Sequence, residues 1–144
     1  MRRGQIILEI LVAVGVATVA ILALVQVATR SVANSGFAKR QSVATAYAAE
    51  GMEWVKGRRE LEPWAEMQAR SGQYCLNSFP GGLGGLVVGN CGGAVILGTE
   101  YTRTVTFTQS VVSGTEQAAV VVVVQWTEGG RVVNARQETF FLQY

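Results

Sequence analysis

Few side chains in this sequence of 144 residues are of the types that carry catalysis or bind metals. It has no histidine, the commonest proton-transfer group and metal ligand, and its two cysteines are too few for a four-cysteine or cysteine–histidine zinc site. The glutamates from Glu50 to Glu138 show no spacing that nominates an acid/base pair. We therefore expect no enzymatic activity, no cofactor and no metal.

The balance of charge and hydrophobicity is unusual. Lysine and arginine number 12 against 10 acidic residues, and a net charge of +2 is too small to indicate a nucleic-acid binder. Only 15% of residues are charged and 49% are hydrophobic, whereas a typical domain is about a quarter charged. This composition indicates that part of the chain is inserted in a lipid bilayer.

The apolar part is residues 5–29, which follow the basic pair Arg2 and Arg3. As a helix this segment would be roughly 38 Å long, enough to cross a hydrocarbon core of about 30 Å. The basic pair should stay in the cytoplasm and send the rest of the chain outward. A secretory signal peptide is the alternative, but the segment is longer than the usual apolar region of such a peptide.

Glu9 is an ionisable residue inside this apolar segment, where burial in lipid is costly. It could reach the interface or be protonated, in which case it has no special role. The functional interpretation is that its carboxylate pairs with a cation supplied by a partner.

The order of residues at the N-terminus, Arg3-Gly4-Gln5 with Glu9 and then a spanning helix, resembles the class III leader of type IV pilins and type II secretion pseudopilins. The resemblance implies cleavage by prepilin peptidase between Gly4 and Gln5 and methylation of the new amino terminus at Gln5. Glu9 would then be the fifth mature residue, the family's characteristic glutamate. Major pilins usually carry phenylalanine where this chain has Gln5, so the resemblance favours a minor pilin.

That resemblance divides the chain into four parts, namely a leader (1–4), a transmembrane assembly helix (5–30), an amphipathic half-helix (31–62) and an extracytoplasmic head (63–144). The implied partners are other pilin or pseudopilin subunits, prepilin peptidase, the inner-membrane assembly machinery and, before assembly, membrane lipid. The precursor would be a single-pass inner-membrane protein, and the assembled subunit would lie in a cell-surface or periplasmic filament. Adhesion, DNA uptake, motility and secretion all stay open.

The new amine and Glu9 are each poorly solvated in an apolar bundle, so the amine of one subunit can pair with the Glu9 carboxylate of its neighbour. Desolvation offsets most of the Coulomb gain, so the pair should set the assembly register more than the affinity. Apolar helix packing should supply most of the affinity.

Residues 31–62 have an apolar stripe at helical period, and Pro63 should end that helix. The predicted stripe consists of Phe37, Ala44, Tyr47, Gly51, Trp54 and Arg58.

Beyond Pro63, residues 71–98 hold nine glycines and are predicted to form tight turns. Cys75 and Cys91 flank the Pro80-Gly81-Gly82 turn. Because they are the two cysteines of a domain expected to be exported, we predict a disulfide between them. Two free thiols are the alternative if the host lacks oxidative folding machinery.

The last third of the chain is predicted to form three antiparallel strands. Residues 101–108 alternate strictly, and Arg103 breaks their apolar face and should need a carboxylate or carbonyl partner. Residues 118–126 are nearly all valine and are predicted to be a central strand covered on both faces. A hairpin at residues 128–131 should lead into the final strand, 132–144. Packed on the half-helix, these strands predict an α+β, pilin-like fold.

A second hypothesis is that the chain is an uncleaved, signal-anchored receptor or adhesin in which the head binds a ligand and Glu9 is incidental. The two hypotheses differ in N-terminal processing and in the effect of replacing Glu9.

Overall fold

The computed structural model describes residues 7–143 in full, and residues 2–6 only as helical backbone. The chain divides into two compact units, residues 1–40 and 41–144. The element order is α1 (Arg2–Leu61), α2 (Trp64–Gln68), β1 (Gly72–Cys75), a 3-10 turn (Leu83–Gly85), β2 (Val87–Val88), β3 (Thr102–Val112), β4 (Thr115–Glu128) and β5 (Arg131–Leu142). The fold is thus α+β, as the sequence predicts.

The first unit is helical, and α1 is long and apolar enough there to cross a membrane. From Ile7 to Val27 its large apolar side chains are exposed on every side of the helix. Even the threonines are adapted to an apolar surrounding, because the hydroxyl of Thr18 donates to the carbonyl of Val14 at 2.8 Å and that of Thr29 to the carbonyl of Val25 at 3.1 Å. Such a surface needs lipid or other apolar helices to cover it.

In the second unit, the C-terminal part of α1 contributes one stripe to the core. Ala44, Ala48, Met52 and Val55 are buried at spacings of four, four and three, which keeps them on one face of the helix. Ala44 and Gly51 of the predicted stripe are buried, but the buried face also includes Ala48, Met52 and Val55, which the prediction omits. Tyr47 and Trp54 lie half-buried at the flank of this face.

Helix α1 ends at Leu61, two residues before Pro63, which is the N-cap residue of α2 and does not interrupt α1. The sequence predicts this end and misses α2. Arg58 and Arg59 lie in the last turn of α1, where the partial negative charge of the helix end favours cations.

One antiparallel sheet of five strands, in the order β2-β1-β3-β4-β5, faces the helix. The predicted hairpin at residues 128–131 is confirmed, since Glu128 pairs with Arg131 and Gly129 and Gly130 both have positive φ. The prediction of three strands is incomplete, because β1 and β2 form within the glycine-rich section.

The prediction that residues 118–126 are covered on both faces is wrong. Burial alternates along β4: Val120 and Val122 are completely buried, whereas Val121 and Val123 are half-buried. On the second face, Val121 and Val123 are shielded by side chains of the neighbouring strand. Glu138 and Arg136 on β5 lie opposite them and form a 2.7 Å ion pair. Valine fits here because a pleated surface accepts β-branched side chains even when one face is incompletely covered.

Candidate functional site

Glu9 lies on α1 among exposed apolar side chains, with Leu8, Val12 and Ala13 beside it. No other charged residue follows until Arg30. A carboxylate in such a surface has no local cation within the described helix, so any partner for it must come from outside that segment. The predicted cleavage and methylation positions, Gly4 and Gln5, lie outside the residues whose side chains the structure describes.

The helix around Glu9 also offers room for close packing. A Cβ added at Gly15 would meet no atom within 4 Å, and alanines occupy positions 13, 17 and 20. Small residues allow neighbouring helix backbones to approach closely, which strengthens van der Waals packing in an apolar medium. The geometry of residues 7–32 therefore suits side-by-side association of helices.

Within the head, the most constrained polar side chain is Arg103 on β3, which is only 2% exposed. Its Nε donates to the carbonyl of Leu76 at 2.8 Å, and its Nη1 donates to the carbonyl of Tyr47 at 2.9 Å and to the Glu50 carboxylate at 2.8 Å. The guanidinium also lies over the ring of Phe79, 4.2 Å from its centroid. The predicted need of Arg103 for carbonyl or carboxylate partners is confirmed.

Gly51 explains how α1 comes close enough to receive this arginine. A Cβ at position 51 would lie 2.9 Å from Cδ of Arg103 and 3.0 Å from Cγ1 of Val122. At these distances an alanine would force the Arg103 and Val122 side chains to shift, so glycine allows the close approach of helix and sheet at position 51.

A disulfide joins Cys75 and Cys91, as the sequence argument favours. Cys75 lies opposite Thr104 on β3, directly beside the buried arginine. The next residue, Leu76, donates its N–H to the carbonyl of Arg103 at 2.9 Å, and the Arg103 N–H donates to Oδ1 of Asn77 at 2.7 Å. The disulfide thus closes the glycine-rich loop next to the Arg103 network.

A second anchor, not predicted from the sequence, holds α2 to the β3–β4 hairpin. The carboxylate of Glu116 accepts from Trp64 Nε1 at 2.9 Å and from Gln68 Nε2 at 2.7 Å. Gln109 adds two bonds, from its Nε2 to the carbonyls of Met67 and Arg70. In the sequence, this anchor is indicated only by a tryptophan and several polar residues just after Pro63. That pattern does not specify a partner some 50 residues away.

Among the described residues, no group of three histidine, cysteine, aspartate or glutamate side chains is placed to hold a metal ion. The carboxylates of Glu50 and Glu116 make structural contacts, with Arg103 and with Trp64.

Comparisons of the chain with family models, with curated proteins and with solved structures find no match.

Proposed function

We propose that this chain is a structural subunit, of the minor pilin or pseudopilin type, of a type IV pilus or a type II secretion-like filament. The observation that carries the proposal is α1, which exposes apolar side chains all round from Ile7 to Val27 and bears one carboxylate, Glu9, near its start. The head, an antiparallel sheet covered on one face by the remainder of α1, supports the proposal because its layout is consistent with a pilin-like fold.

In this proposal the chemistry is that of assembly. Cleavage after Gly4 removes Arg2 and Arg3, leaves 10 basic against 10 acidic side chains, and creates an α-amino group at Gln5. When two helices pack with an axial offset, the amine of one subunit pairs with Glu9 of its neighbour. Wrong registers leave both charges unpaired in an apolar surrounding, so the pair selects the register.

The experiment compares Glu9→Leu with the control Glu53→Gln, whose carboxylate is exposed on the C-terminal part of α1 and bonded to Lys56. Both variants should be expressed and inserted in the membrane. In sheared filament fractions Glu53→Gln should appear at the normal level and Glu9→Leu should be absent. Normal incorporation of Glu9→Leu would refute the register role. If neither the wild-type protein nor any variant were found in the filament fraction, that result would favour the anchored receptor.

A further inference from the structure

Strand β5 forms one edge of the sheet and is 12 residues long, about twice the mean strand length. Within the described part of the chain it pairs with β4 alone. Long unprotected edges are templates for pairing with a further strand, so natural proteins usually shorten them, cover them or occupy them.

The hydrogen-bonding direction of each β5 residue follows from the register. The Gln143 N–H donates to the carbonyl of Glu116 at 3.0 Å, one step beyond the Leu142–Gln117 pair. Because hydrogen-bonded pairs alternate in an antiparallel ladder, odd-numbered residues of β5 bond to β4 and even-numbered residues point their N–H and C=O groups to the free edge. The carbonyl of Leu142 agrees, since it accepts from Nη2 of Arg59 and not from β4.

A groove of about 440 Å³ runs beside this edge, between the end of α1 and the end of β5. Its lining residues are Lys56, Arg59, Glu60, Phe140, Phe141 and Leu142. Phe140, 57% exposed, lies on the sheet face away from the core, whereas Phe141 packs against the core on the helix side. A chain entering the groove would therefore find an apolar contact on one face and the helix on the other.

The helix side of the groove carries two cations, Lys56 and Arg59, and one lining carboxylate, Glu60. Lys56 is held by Glu53 at 2.7 Å, which leaves Arg59 as the main source of positive charge. The Arg59 guanidinium lies 5.0 Å from the centroid of the Trp64 ring and makes a long, 3.4 Å bond to the carbonyl of Leu142. A guanidinium has five N–H donors, so Arg59 can also bind a carboxylate.

We propose that this groove binds an extended segment of a partner protein, which adds to β5 as a sixth strand. Side chains alternate between the two faces of such a strand, so apolar residues contact Phe140 and an acidic residue on the helix side reaches Arg59. Main-chain bonds to the even-numbered residues of β5 provide affinity, and the acidic residue provides selectivity. This proposal concerns the head alone and does not depend on filament assembly.

The test uses the full chain in detergent micelles and a fluorescent peptide of about ten residues in which valine and glutamate alternate. Fluorescence anisotropy should show saturable binding, and a matched peptide of valine and lysine should bind at least about fivefold more weakly. Arg59→Gln should abolish that preference. Absence of saturable binding by the glutamate peptide would overturn the proposal.

Two N-methylated versions of the glutamate peptide test the main-chain bonds without altering the protein. One carries methyl groups on the odd-numbered amides and the other on the even-numbered amides, so in any one register only one version blocks pairing with β5. One version should lose binding by at least about fivefold, while the other should bind nearly as well as the parent. Equal effects of the two versions would show that the edge is not used.

Variants of Glu138 test the same bonds from the protein side. Its N–H faces the free edge, so Glu138→Pro removes a donor to the new strand and none to β4. Glu138→Ala is the control, because it also loses the ion pair with Arg136 but keeps the N–H. The proline variant should bind at least about fivefold more weakly than the alanine variant, with similar thermal unfolding. If the chain instead self-associates through this edge and does not bind the peptide, a second copy occupies the groove and the proposal fails.

Discussion

The guanidinium of Arg103 lies 2.8 Å from the carboxylate of Glu50, yet the arginine side chain is 2% exposed and the glutamate side chain 54% exposed. The two partners of this ion pair therefore face different environments. Water screens Glu50, so most of the stabilisation of the buried charge must come from the carbonyls of Leu76 and Tyr47 and from the ring of Phe79. Arg103 thus joins α1, β3 and the loop after β1.

Replacement of Arg103 should be much more damaging than replacement of its acidic partner. Arg103→Met leaves two carbonyls without their donors and should lower the free energy of unfolding by about 2–4 kcal/mol. Glu50→Gln keeps an acceptor at the same place and should cost less than about 1 kcal/mol. Urea unfolding followed by tryptophan fluorescence measures both, since all three tryptophans lie in the compact unit of residues 41–144. Equal losses in the two variants would show that the ion pair dominates instead.

Gly51 and Gly57 form a matched pair of helical glycines. Gly51→Ala would place a Cβ 2.9 Å from Arg103 and 3.0 Å from Val122, and the resulting overpacking should lower the free energy of unfolding by about 1–3 kcal/mol. Gly57→Ala meets no atom within 4 Å and should raise the free energy of unfolding by roughly 0.5–1 kcal/mol through helix propensity. The same urea titration checks both. A neutral Gly51→Ala would mean that α1 and the sheet can separate without cost.

The disulfide between Cys75 and Cys91 should stabilise the head chiefly by restricting the unfolded chain. With a sequence separation of 16 residues, its loss should lower the free energy of unfolding by about 3 kcal/mol. Unfolding with and without reductant gives the difference, and the Cys75→Ser/Cys91→Ser double variant should match the reduced protein and be insensitive to reductant. A reductant effect that persists in the double variant would contradict this assignment.

The features that could be predicted from the sequence are those encoded locally. The end of α1 before Pro63 and the turn at Gly129 and Gly130 each depend on backbone restrictions within a few residues. The strict alternation predicted for residues 101–108 is not observed in burial, since Thr104 is buried beside Arg103 and Val105. The partners of Arg103 could be predicted by type but not by position, because a buried guanidinium must be satisfied and many carbonyls can do so.

Features that depend on distant packing could not be predicted. Strand β2 has two residues and exists because Val87 and Val88 pair with β1, while their own glycine-rich context has low strand propensity. The half-buried face of β4 has the same explanation, since a run of valines does not reveal whether a second layer covers it. The buried stripe of α1 includes Ala48, Met52 and Val55, which the sequence pattern omits, because burial on this face depends on how the helix packs against the sheet.

The most direct measurement of the central proposal is the intact mass and N-terminal sequence of the protein from cells with and without prepilin peptidase. We expect a peptidase-dependent start at Gln5, with the mass of a methyl group added, and an unprocessed N-terminus when the peptidase is absent. A start at Met1 or Arg2 in both strains would contradict the proposal, because Glu9 would then lack the amine that is to pair with it.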